Sequence, residues 1–143
     1  MMMKANIKIE SIIDNLDESG LIDGESEKSV SFVSGVYRYS DTEVRLSYKE
    51  KNDGGESEAE IVVIDGKVSV KRSGAIRSEL HFEEGESHKS LYVIPPFRFD
   101  AEVYAKRVRA SLSEEGGHIS LLYDMKIGGA DKSAIMRIWI SKA

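Results

Sequence analysis

The sequence predicts an all-β protein, a single antiparallel up-and-down barrel of roughly eight to ten strands. Three observations predict it. Apolar and polar residues alternate with period two in nearly every segment between turn signals, and those segments are rich in Val, Ile, Tyr and Phe. The only two prolines are adjacent, Pro95 and Pro96. No helical period of useful length occurs, and each strand joins the next by a short connection. A meander of that size closes readily, because closure removes exposed edges.

Each element can be justified in turn. Alternation assigns no face to Ser11–Ile13 in the first strand. In "YRYSDTEVRLSY", a two-residue loop at Asp41-Thr42 pairs Tyr39 with Val44 and Tyr37 with Leu46, leaving Arg38, Glu43 and Arg45 on the other face. Asp65-Gly66 signals a type I′ hairpin, which needs positive φ at both central positions. That register sets Val63 against Val68, Ile61 against Val70 and Ala59 against Arg72. In "RSGAI" a two-residue loop would oppose Val70 to Arg77 and Val68 to Glu79, so the apolar pattern favours a three-residue loop, Ser73–Ala75. It pairs Arg72 with Ile76 and Val68 with Leu80. Either way, Arg72 shares a face with Val68 and Val70. The long strand from Phe97 is apolar at odd positions (Phe97, Phe99, Ala101, Val103), then at even ones (Val108, Ala110, Leu112). That switch calls for a bulge near Tyr104–Arg107. "SLSEEGGHISLLYDM" reads as a hairpin around Glu114–Gly117, with Leu112 facing Ile119 and Ala110 facing Leu121. "HISLLYDMKI" and "SAIMRIWIS" flank a "GGADK" loop. The acidic segments "DNLDESGLIDGESEK" and "EKNDGGESE" read as mobile loops.

Composition narrows the function classes. With 143 residues, 41% hydrophobic and 31% charged, the chain fits one domain over residues 1–143 with a real core. The absence of cysteine excludes disulfides, thiolate zinc sites and cysteine nucleophiles. "MMMKANIKIE" lacks the apolar run of a signal peptide, and no apolar run is long enough to cross a membrane as a helix, so a cytoplasmic protein without a membrane partner is expected. A net charge of −5 disfavours nucleic acid, whose binding usually draws on a basic surplus. The cationic run at Lys106, Arg107 and Arg109 reads as a solvated strand face.

The segments "VRLSYKE", "VSVKRSGA" followed by "LHFEEG", and "LSEEGGHISLLYDM" come in an order and spacing that resembles the YwiB-like family of uncharacterised bacterial proteins, over nearly the whole chain. The resemblance implies a calycin-like barrel, the architecture of lipocalins and fatty-acid-binding proteins, and no established activity. Two departures stand out. "IPPF" (Ile94–Phe97) replaces the family's Thr-x-Tyr-Gly-like turn, and the lipocalin-proper Gly-x-Trp near the N-terminus is missing.

No motif names a reaction or a cofactor. The histidines His81, His88 and His118 lie near three different turns without metal-ligand spacing, and alternation puts His81 outside, so they read as surface residues rather than ligands. No Gly-x-Ser-x-Gly elbow exists. "GGADKS" lacks the glycine a phosphate loop needs before Lys132 and has no following helix. The carboxylates fall mostly at outward or loop positions, and they support no acid/base pair, so the chain is not expected to be an enzyme.

The barrel interior remains. Tyr37, Tyr39, Tyr48 and Tyr123, joined by Phe97 and Phe99, are assigned to the inner face. They either fill the core or line a pocket. Arg72 on that face must sit at the rim, pair with a carboxylate, or bind an anion, since an unpartnered buried charge costs several kcal/mol. Tyr92 and Trp139 are secondary candidates for the same site. The expected function is a non-enzymatic barrel binding a small, mainly apolar, anionic ligand, with Arg72 on the acidic group. The alternative is a filled-core structural or interaction module, for which homo-oligomerisation stays open.

Overall fold

Period-two alternation and short connections produce ten strands among the described residues, each beside its neighbour in sequence. The computed structural model describes residues 1–52 and 55–143. The strands are β1 (Met2–Asn15), β2 (Glu27–Tyr39), β3 (Val44–Asn52), β4 (Gly55–Ile64), β5 (Lys67–Gly74), β6 (Ser78–Phe82), β7 (Ser87–Ile94), β8 (Phe97–Ser113), β9 (Gly116–Ile127) and β10 (Ala130–Lys142). They form one antiparallel sheet in the order β6-β5-β4-β3-β2-β1-β10-β9-β8-β7. The two ends of the chain meet, because β1 pairs with β10 from Ala5↔Lys142 to Asn15↔Lys132. The incomplete seam lies between β6 and β7, bridged at Arg77↔Val93. Each of those two amides donates to the other's carbonyl, at 2.9 and 2.8 Å. The result is a nearly closed barrel.

Several expected registers are present. Tyr37 faces Leu46 and Tyr39 faces Val44. The Asp65-Gly66 turn has φ of 51° and 74°, and it sets Val63 on Val68, Ile61 on Val70 and Ala59 on Arg72. The parity switch in β8 is a bulge at Lys106: Ala105 pairs with Tyr123 while Arg107 pairs with Leu122. The Val108 amide just beyond it donates to Glu84 Oε1 at 3.0 Å. Around Ser11, the odd face of β1 continues unbroken, with Ala5, Ile7, Ile9 and Ile13 all packed on the core.

Other expectations need correction. The β5–β6 loop is not Ser73–Ala75. β5 stays on β4 through Ser57↔Gly74, where Gly74 holds a φ of +108° and a Cβ would stand 2.7 Å from the Glu56 carbonyl oxygen. The chain then crosses in Ala75–Arg77, so Arg72 faces Ser78 and Val68 faces Phe82. The slip is two residues, so every side chain keeps its face. Similarly, the β8–β9 turn uses only Glu114 and Glu115, and the positive φ falls just after them, at Gly116 (109°). Leu112 therefore faces Gly117, and Ala110 faces Ile119. The last connection is Gly128-Gly129 alone, with Lys132 and Ser133 already in β10. The second acidic segment is mostly strand: Glu50–Asn52 belong to β3 and Gly55–Glu58 to β4, while Asp53 and Gly54 lie outside the described residues. The first is an exposed loop from Leu16 to Ser26, in which Asp17 Oδ1 accepts the amides of Ser19 and Leu21 at 2.8 and 3.0 Å.

The inner faces form a continuous core in which Tyr37, Leu46, Ile61, Ile119, Leu121 and Ile138 are at most 1% exposed. Phe82 meets Tyr123 edge-on at 4.9 Å between ring centroids. The "YAKRVRA" run is solvated on the outer wall, where Lys106 pairs with Asp124 at 3.1 Å and Arg109 with Glu84.

Candidate functional site at the Arg72 end of the barrel

Arg72 lies on the inner face of β5 between Ala59 of β4 and Ser78 of β6. Its side chain is 13% exposed, and its Nε donates to Glu50 Oε1 at 2.7 Å. Glu50 stands on β3 two residues beyond the buried Tyr48, opposite Ser57 of β4. The ion pair therefore spans β4 diagonally, over two small residues, Ser57 and Ala59, that leave room for it. A carboxylate and a guanidinium that meet mostly out of water hold each other strongly.

The surrounding phenols feel this charge. Burial pushes the Tyr48 hydroxyl up to about 12, with Glu50 reinforcing and Arg72 opposing the rise. Tyr123 is also raised by burial, against Arg72 and with Tyr92. For Arg72 itself, burial works against the charged form. The neighbouring Glu50, Tyr48 and Tyr92 outweigh it and hold the guanidinium above its usual value. Arg72 is a permanent cation here.

The expected ring cluster divides. Tyr48, Tyr92 and Tyr123 gather around Arg72. Tyr37 and Tyr39 lie at the opposite end, stacked at 6.5 Å. There the Tyr37 hydroxyl donates to the Ser113 carbonyl at 2.8 Å, and burial pushes it up to about 12. Phe99 is half-buried beside Gly128, and its ring lies 6.3 Å from that of Phe97. Phe97 is not enclosed, at 61% exposed, because it opens β8 directly after Pro96 at the barrel's end. Trp139 points outward: Ile138 and Ile140 take the inner positions of β10, and the indole packs against His118 at 5.1 Å with Lys8 Nζ 4.8 Å from its ring. Of the histidines, His81 is exposed, and His88 and His118 are half-buried. His81 and His88 approach each other across the β6–β7 seam, at 5.9 Å between rings. Among the described residues no group of three or more His, Asp or Glu is arranged to hold a metal ion.

Residues the sequence did not single out complete the site. Glu50 was readable, since alternation from Tyr48 carries it inward. Ser78 and Ser90 are inner-face hydroxyls on β6 and β7 whose buried Oγ atoms have no hydrogen-bond partner. Both line an open groove of about 540 Å³ along the β5–β6–β7 wall, and Arg72 lines it too. The groove lies along the incomplete seam. That is how a residue facing inward on β5 becomes reachable from outside.

These features define a nearly closed, ten-stranded antiparallel β-barrel with a partly buried ion pair and a polar opening at one end. The chain belongs to the family described as Domain of unknown function (DUF1934), which matches residues 7–138. It is similar to the "Uncharacterized beta-barrel protein YwiB" of Bacillus subtilis (strain 168), at 33% identity over 106 residues, 74% of this chain and 75% of that protein. The solved structure described as "Crystal structure of ywiB protein from Bacillus subtilis" superposes with a TM-score of 0.87. It is 27% identical, and the match covers 99% of this chain and 93% of that one. Among the described residues no helix is long and apolar enough to cross a membrane.

Proposed function

We propose that the protein is a non-enzymatic, cytoplasmic binding module with a calycin-like use of its barrel, taking a small, mainly apolar, anionic ligand whose acid group meets Arg72. One observation carries this reading: an arginine on an inward face, largely buried, opens onto a groove whose volume of about 540 Å³ suits a small ligand. Glu50 engages Nε, which leaves the two terminal NH₂ groups as donors for a bidentate carboxylate or phosphate. Leu91 and Val93 in the groove supply the apolar contact. The test is native mass spectrometry of freshly purified protein against its denatured mass, repeated with added octanoate. A bound mass that is lost on denaturation and reduced in Arg72→Ala supports the reading. An unchanged apo mass in both preparations sinks it.

A second reading is favoured by a different observation. The core is continuous, and the outer wall carries Val30 (53% exposed) and Phe32 (77% exposed), with Lys8 Nζ poised between the Phe32 and Trp139 rings. An apolar stripe of this kind suits an interaction module that works by self-association. Light scattering distinguishes it: a dimer that Phe32→Ser dissociates would favour this second reading.

A further inference from the structure

The β6–β7 seam combines two features that no strand-pairing argument requires. The first is charge. Lys71, Arg72, Arg77, Lys89 and Arg98 line one groove, against a single carboxylate, Glu79. Glu79 is itself shared with His81, at 3.6 Å. Among the described residues Lys71, Arg77, Lys89 and Arg98 have no carboxylate within ion-pairing distance. In a chain of net charge −5, four unpaired cations around one slot are costly to keep together and repel one another. The second feature is the pair of orphaned hydroxyls. Ser78 is 6% exposed, and its Oγ and that of Ser90 are buried without a partner in the wall of the same groove. Buried polar atoms are nearly always hydrogen-bonded, so two unpartnered donors in one cleft ask for an acceptor.

We infer that this seam is a phosphoryl-binding site for a small phosphate monoester, with Arg77, Lys89 and Arg98 at its mouth and Ser78, Ser90 and Arg72 deeper in the groove. The inference rests on the ligand-binding reading above and names the ligand's headgroup. A carboxylate offers two oxygens and one charge, which Arg72 alone satisfies. A phosphate monoester offers three terminal oxygens and nearly two charges, which match several cations and two hydroxyl donors together. The seam leaves room for such a group in the barrel wall, since β6 and β7 are bridged only at Arg77↔Val93 among the described residues.

The test is calorimetric titration at low ionic strength with octyl phosphate, octanoate and inorganic phosphate. The first two share an apolar tail and differ in headgroup. Octyl phosphate is expected to bind about tenfold or more tightly than octanoate, a difference of about 1.4 kcal/mol. The Arg77→Ala/Lys89→Ala double variant, altered only at exposed side chains, is expected to keep its thermal transition and lose about tenfold in octyl phosphate affinity. Ser78→Ala is expected to weaken octyl phosphate and leave octanoate unchanged. Inorganic phosphate should compete with octyl phosphate. Equal binding of octanoate and octyl phosphate, indifferent to all these variants but lost in Arg72→Ala, overturns the phosphoryl site and leaves the ligand-binding barrel standing. No binding of either amphiphile overturns both. Octyl phosphate binding that survives every variant, Arg72→Ala included, overturns the assignment to the seam.

Discussion

The barrel has two seams, and they are built differently. Where the chain ends meet, β1 and β10 pair along most of their length, and their inner residues Ala5, Ile7, Ile138 and Ile140 are buried apolar side chains. Where β6 meets β7, one bridge does the joining among the described residues, and the inner residues include Ser78 and Ser90, each with a buried hydroxyl lacking a hydrogen bond. The first seam has a full ladder of backbone hydrogen bonds over an apolar interior. The second gives up ladder bonds and places hydroxyls where methyl groups would pack better. Stability is concentrated at one seam, and chemistry with unused capacity at the other. That division is expected of a binding site, which must leave groups unsatisfied until something arrives.

The contrast can be broken or sharpened by substitution. The largest effect should come from matched truncations at the two seams. Ile138→Ala removes a side chain with no exposure and should cost about 3–5 kcal/mol. Leu80→Ala on β6 should fall at the low end of the range, about 2 kcal/mol, because the gap beside it can collapse. Urea denaturation compares them, and equal losses would erase the distinction between the seams.

Next comes the ion pair. Glu50→Gln strands a guanidinium that is 13% exposed and should destabilise by roughly 1–3 kcal/mol. Glu50→Leu/Arg72→Met should recover most of that loss, since two apolar groups replace both charges. If the double variant is the weaker of the two, the pair is a net stabiliser of the Arg72 end.

Tyr37, at the other end of the barrel, gives a smaller effect that depends on pH. Tyr37→Phe removes the hydrogen bond to Ser113 and should cost about 1 kcal/mol at neutral pH. Burial, reinforced by Tyr39, pushes the phenol up to about 12 in the folded protein, against 10.0 for the free group. The folded state therefore holds this proton more tightly. The linked stability is fully present below pH 10 and disappears as the pH rises through about 12. The deficit of the Phe variant should shrink over that window and then reverse, read by circular dichroism with phenolate absorbance alongside. A deficit independent of pH would show that the hydroxyl titrates normally.

The smallest effect is the most pointed. Ser78→Ala deletes a hydroxyl that pairs with nothing and should be neutral or stabilising by about 1 kcal/mol or less. The same change in a satisfied serine would destabilise, so a clear loss of stability would mean that this hydroxyl has a partner after all.

The sequence by itself determined the all-β class, the meander, the faces of β2 to β5 and the bulge in β8. All of these follow from period-two alternation and from turn residues with a forced φ, both of which are local. It also placed Arg72 inward, and the same alternation carried from Tyr48 would have placed Glu50 beside it. The exact registers of β6 and β9 were not legible. Slips of two residues leave the apolar pattern unchanged, and only the path of Gly74 along β4 and the tight Glu114-Glu115 turn resolve them. Tertiary structure alone decided where the barrel fails to close. β6 alternates, with Ser78, Leu80 and Phe82 inward, while β7 puts His88 and Ser90 at inner positions, yet neither pattern alone says that the ladder between them stops. β6 and β7 are the two ends of the ten-stranded sheet, joined by the Arg77↔Val93 bridge. That meeting of the sheet's ends brings Arg77, Lys89 and Arg98 around one slot, from stretches of chain that carry no common motif. Local pattern fixes which way a side chain points, while closure of the sheet fixes which side chains meet.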